Sequence, residues 1–210
     1  MFRFLPLVTC LVLLGCGPSA GRVVPQPAAT PDLDFPVGAF ALTERDGRPV
    51  TANDLLGKVW VASFVFTRCA GPCPAVTAAV GQLQGDLANQ PDVRFVTFTV
   101  DPVRDDPAEL KKYADRYRAD PARWLFLTGK EETIHTLMRD RFKLAVAKGG
   151  AEAKHDFDHS TRLAVVDKAG VVRATFDGIR DDRLPKDAAE ARYADGLKRL
   201  KEKVRQLAAE

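Results

Sequence analysis

The sequence predicts an α/β fold: a three-layer α/β/α sandwich with a central mixed sheet and a short N-terminal β-hairpin. Three observations carry this. β-Rich apolar runs alternate with segments of helical periodicity, an order that favours crossover units and parallel strands. Two late strands flank a tight turn at Lys168-Ala169-Gly170, which adds antiparallel pairing. The chain of 210 residues suffices for one domain with short extras.

In order, "FALTERDGRPVT" (40–51) reads as two short extended pieces about an Asp46-Gly47 turn. "VWVASFVF", Val59 to Phe66, is apolar almost throughout, as a buried central strand would be. After Pro74, Val76, Ala79, Val80, Leu83 and Leu87 recur at helical spacing. "VRFVTFTV" (93–100) alternates and is β-branched, hence a strand, and "DPVRDDP" then breaks the chain. Leu110, Tyr113, Ala114 and Tyr117 mark a second amphipathic helix. "WLFL" (124–127) is a short strand, followed by a helix around 131–139 that turns Ile134, Leu137 and Met138 inward. "RLAVVDKAGVVRATF" (162–176) gives the closing hairpin, and Tyr193, Leu197, Leu200, Val204 and Leu207 define a long last helix.

Composition narrows the function. The net charge is +3, and Lys and Arg are scattered among Asp and Glu, so the chain lacks a nucleic-acid footprint. The N-terminus, "MFRFLPLVTCLVLLGC", has one cation and then an apolar run too short to cross a bilayer, which needs ~20 residues. Its "LLGC" resembles the lipobox of bacterial lipoproteins. That resemblance implies a signal peptide over 1–15, lipidation of Cys16, and a chain anchored at the extracytoplasmic face of a bacterial cytoplasmic membrane. Residues 16–35, rich in Pro and Ala, read as a flexible tether, leaving 36–210 as the folded domain.

Four cysteines are encoded. Cys10 leaves with the signal peptide and Cys16 is blocked by lipid, so Cys69 and Cys73 remain. They lie in "CAGPCP", directly after the first central strand and before its helix, which is the thioredoxin-like plan. Pro74 suits the first helical position, which places Cys73 near the N-cap, where the helix dipole favours a thiolate. Three readings stay open. A structural disulfide across so short a loop stabilises little. A thiol–disulfide exchange enzyme usually has a two-residue spacer, one shorter than Ala70-Gly71-Pro72. A soft-metal site needs a further ligand, because two thiolates select Cu(I), Zn or Fe–S iron.

Histidine supplies that ligand. His135 reads as an ordinary, partly exposed helix residue. His155 and His159 lie in "KHDFDHSTRLAVVD", and His159 directly precedes the hairpin strand, in a loop that faces the thiol motif in this fold. His159 is therefore the expected third ligand and His155 its rival. Asp158 is the expected orienting partner in the second shell, with Asp156 also near. Met138 is the one methionine left after processing, so a Met-rich copper carrier is excluded.

With "CAGPCP" and "DHS" (158–160) in place, supported by "FVFTRC", "DPVRDDP" and "WLFLTG", the chain resembles the Sco/SenC family of copper-handling proteins. The resemblance implies a copper ion, Cu(I) or Cu(II), held by Cys69, Cys73 and His159. It implies as partner the copper-centre-bearing subunit of cytochrome c oxidase, with an upstream copper donor or a thiol reductant. It also implies a copper donor, a thiol reductant of the target's cysteines, or both, with a redox-switchable pair for which no catalytic turnover is required. A thiol:disulfide oxidoreductase acting on an extracytoplasmic partner is the alternative. Against it, no proline lies between His159 and Leu163, where thioredoxin-type oxidoreductases usually place one.

Overall fold

The sequence runs that are apolar at every position become strands covered on both faces. In the computed structural model, which describes Met1, residues 33–149 and residues 157–210, the strands are ten. They are β1 (Phe35–Pro36), β2 (Ala41–Glu44), β3 (Pro49–Thr51), β4 (Trp60–Val65) and β5 (Arg94–Thr99), then β6 (Trp124–Thr128), β7 (Val146–Lys148), β8 (Phe157–His159), β9 (Arg162–Val166) and β10 (Val171–Asp177). The helices are α1 (Cys73–Asp86), α2 (Pro107–Arg116), α3 (Glu131–Thr136) and α4 (Lys186–Ala209). The signal peptide, Cys16, the tether up to residue 32, His155 and Asp156 lie outside the described residues.

One sheet runs in the order β1-β10-β9-β4-β5-β6-β2-β3. β4, β5 and β6 are parallel, whereas β9 lies antiparallel to β4 and β10 antiparallel to β9. The predicted mixed sheet is thus present, and the β2–β3 hairpin caps its far side by pairing with β6. Two successive crossovers, β4-α1-β5 and β5-α2-β6, step the same way along the sheet, so the handedness rule puts α1 and α2 on one face. A Tyr113–Thr77 hydroxyl bond joins these helices, and Lys201 of α4 pairs with Asp86 of α1. On that face Ser63 meets Thr97 at 2.8 Å, and the Trp124 indole donates to the same Thr97 hydroxyl. Those bonds satisfy the polar atoms among buried apolar neighbours.

The opposite face holds an aromatic cluster. Phe142 meets the rings of Trp60, Phe64 and Phe98 at 6.0, 5.2 and 6.1 Å. It reaches them because the predicted helix around 131–139 does not run on as an α-helix. After α3 the chain makes a π-type turn, Leu137–Arg141, in which Phe142 N–H bonds the carbonyl of Leu137. The extra residue lets Leu137, Met138 and Phe142 all be buried.

Two further features go beyond the sequence reading. Pairing starts before residue 36: Leu33 N–H bonds the Arg173 carbonyl and Phe35 pairs with Val172. β7 and β8 form a separate two-stranded ribbon, with Val146 opposite His159. Both were hidden because strands of two or three residues carry no usable periodicity.

A candidate metal and thiol site at the end of the central strand

β4 leaves the sheet through a turn in which Cys69 N–H bonds the Phe66 carbonyl at 3.2 Å. The turn is fastened from behind by Asp105, a fully buried carboxylate. It accepts from Thr67 N–H (3.0 Å), from the Thr67 hydroxyl and from the Thr99 hydroxyl. The helix then starts at Cys73, one residue earlier than expected, because the Pro72 carbonyl takes both Ala75 N–H and Val76 N–H. Pro74 falls within that first turn, where its missing N–H costs nothing.

Neither cysteine is in a disulfide and both are buried, Cys73 completely. Their protonation differs from the sequence-based expectation. The hydrogen bond between the two thiols, and next the burial, push the Cys73 thiol far up from its ordinary value. These effects outweigh the helix dipole, so in the reduced, metal-free pair Cys73 is a thiol and not a thiolate.

His159 ends β8 and reaches the pair across 86 residues of sequence: its Nε2 lies 3.4 Å from Cys73 Sγ. Its Nδ1–H donates to the Ser160 carbonyl at 3.1 Å, which fixes the tautomer and leaves the Nε2 lone pair facing the sulfur. Burial lowers the imidazole pKa, partly opposed by that carbonyl and by the charge of Asp158. The ring is therefore neutral at pH 7. Phe66 stands edge-on to it at 5.8 Å and also packs against Phe157.

The orienting partner is the Ser160 carbonyl and not the Asp158 carboxylate. Alternation along β8 explains why: Phe157 is buried, Asp158 points outward and is exposed, and His159 turns back in. His135 lies behind the site, edge-on to Phe157, with its Nε2 bonded to the Val100 carbonyl at 2.8 Å. It is spent on structure.

Cys73 thus meets both Cys69 and His159. Among the described residues no group of three or more His, Cys, Asp or Glu side chains stands in ready metal-holding geometry. The donor set nevertheless suits a soft cation, with two sulfurs and one neutral imidazole nitrogen in an apolar shell. The same pair can instead lose two electrons and two protons and join as a disulfide. Sequence reading missed Asp105, Thr67, the Ser160 carbonyl and the Phe66–Phe157 wall. The one signal for the first of them was "DPVRDDP", which directly follows the strand beside β4.

The sequence profile of the SCO1/SenC family matches residues 29–191. Three solved structures are similar. A SCO1/SenC family lipoprotein from Bacillus anthracis str. Ames is 33% identical, covers 84% of this chain and 97% of its own, and gives a TM-score of 0.71. BsSco, a member of the Sco family of cytochrome c oxidase assembly proteins in which a disulfide switch was identified, is 32% identical over 82% and 98% of the two chains, with a TM-score of 0.64. ScoI of Bradyrhizobium japonicum with copper bound is 27% identical over 80% and 98%, with a TM-score of 0.57.

Proposed function

The chain belongs to the SCO1/SenC family, and on that footing we propose that it is a copper-binding metallochaperone that assists assembly of the dinuclear copper centre of cytochrome c oxidase. It holds one copper ion as cargo through Cys69, Cys73 and His159, and passes it to the copper-centre-bearing subunit. Cys16 carries the lipid that keeps it at the extracytoplasmic face of the cytoplasmic membrane, with 16–35 as tether. The observation that carries this reading is the approach of His159 Nε2 to Cys73 Sγ. The copper-bound ScoI, the oxidase-assembly role named for BsSco and the lipoprotein from B. anthracis support it by similarity.

The chemistry of loading follows from the side chains. Reduced thiols must give up their protons to bind metal, so loading releases protons and is pH-dependent. The neutral Nε2, already aimed at Cys73, supplies the nitrogen without a proton to lose. Where an external disulfide takes two electrons from the pair and is itself reduced to two thiols, Cys69 and Cys73 join, both sulfur ligands are lost and the ion is released. A thiol reductant, or the upstream donor acting with one, resets the pair.

A thiol:disulfide oxidoreductase is the second reading, favoured by two reduced thiols close enough to hydrogen-bond each other. Against it stands the lack of a proline between His159 and Leu163; the raised Cys73 pKa does not decide, since Cys69 can be the attacking thiol.

Anaerobic copper titration of the reduced soluble domain separates the two. The copper reading predicts one ion per protein, binding abolished in Cys69→Ser and Cys73→Ser, and weakened in His159→Ala. Wild-type affinity in the His159 variant would overturn the ligand set. Robust insulin reduction, indifferent to copper, would favour the enzyme.

A further inference from the structure

Each cysteine of the pair is held from behind by a side chain from one segment, the turn after β5 and helix α2. On the Cys69 side, Asp105 takes both the N–H and the hydroxyl of Thr67, two residues before the thiol. On the Cys73 side, the Tyr113 hydroxyl donates to Thr77 Oγ1 at 2.7 Å, and the Thr77 hydroxyl donates in turn to the Cys73 carbonyl at 2.9 Å. Asp105 and Tyr113 belong to one stiff unit, because Asp106 caps α2 by accepting Glu109 N–H at 2.9 Å. Asp105 is also tied to the central sheet through Thr99. Asp105 is fully buried and Tyr113 is 3% exposed, so water does not readily replace these bonds.

We infer that Asp105 and Tyr113 are positioning residues for the thiol pair, which clamp the two ends of the Cys69–Cys73 loop and bias it toward the dithiol. Both clamps are made while the sulfurs are unjoined. A disulfide draws the sulfurs to about 2.05 Å and sets a particular dihedral angle, a demand shared between side-chain rotation and a shift of the Phe66–Cys69 turn or the first turn of α1. Bonds that stiffen those two turns resist that shift. The inference deepens the proposed function by naming what sets the redox balance of its site. It depends on the two cysteines working as a pair, but not on copper.

The test is a metal-free redox equilibrium. The soluble domain is equilibrated with a small-molecule disulfide, oxidised glutathione, and the thiol product. Cys69 and Cys73 give up two electrons and two protons, and the glutathione disulfide takes them to become two thiols. Asp105→Asn and Tyr113→Phe each remove a bond with little change of shape. Each is expected to shift the equilibrium roughly five- to tenfold toward the protein disulfide, as loss of one buried hydrogen bond allows. Thr67→Val, which spares the backbone bond, should give a smaller shift in the same direction and serves if Asp105→Asn does not fold. Leu207→Ala, near the end of α4, is the structural control: it should lower Tm and leave the equilibrium unchanged. If Tyr113→Phe and the Asp105 or Thr67 variant lower Tm as Leu207→Ala does and leave the equilibrium in place, the inference is overturned. Because no copper is present, wild-type protein that fails to bind copper would refute the carrier reading and leave this result readable.

Discussion

His159 is buried, neutral and committed through Nδ1, so adding a proton to it costs more than in water. Its folded pKa lies below its ordinary 6.5. As pH falls, the unfolded chain therefore binds the proton first, and the contribution present above pH 6.5 is lost as pH drops through the folded pKa. Urea midpoints of the metal-free domain should fall between pH 7.5 and 5.5, and fall less in His159→Gln. An equal decline in both would show that the imidazole is not strained by burial. Cys73 has the opposite sign: its folded pKa is raised, so its contribution is intact below the unfolded value and is lost at alkaline pH. Its alkylation at pH 8 should be far slower than that of an exposed cysteine. At this scale the meeting of Cys73 and His159 was legible, because few residue types make soft ligands and His159 stood in the loop before the hairpin strand. The Ser160 carbonyl was not legible, since any residue supplies a carbonyl. Asp158 was misread because its direction depends on a strand too short to announce itself.

Among the elements, the ribbon β7–β8 and the β9–β10 hairpin decide whether the imidazole reaches the sulfurs. Gly178, just past β10, is where this can be tested. A Cβ there would press into the Thr161 carbonyl oxygen, well inside contact distance, and against Leu163. Thr161 adjoins Ser160, whose carbonyl orients the ring. Gly178→Ala should cost about 1–3 kcal/mol of stability, as overpacking does. It should also weaken copper binding more than Gly85→Ala, where an added Cβ meets nothing within 4 Å. Equal affinities in the two variants would show that this hairpin end does not position His159. The long elements were readable from sequence because burial repeats along them, as with Val76, Val80 and Leu83 on α1. The π-type turn was not, because its reason is tertiary: Phe142 must reach three rings carried by β4 and β5.

For the molecule as a whole, the topology brings the C-terminal ends of the central strands β4 and β5 together at one end of the sheet, and the return through β8 and β9 delivers a histidine to the same place. Stability should then follow the state of that end of the sheet. Copper bound only by the folded, reduced domain should stabilise it by about 2.7 kcal/mol at a hundredfold excess of free copper over Kd, and so raise Tm as free copper rises. A disulfide closing so short a loop should raise it much less than one closing a long loop. Calorimetry should place the unfolding temperature of the copper-loaded domain above that of the metal-free dithiol. The central claim is that two sulfurs and one imidazole share a single ion. X-ray absorption of the anaerobically loaded, reduced domain tests it most directly. The account predicts a copper shell of two sulfurs and one imidazole nitrogen, with the nitrogen lost in His159→Ala. A shell without sulfur, or one identical in wild type and His159→Ala, would contradict it.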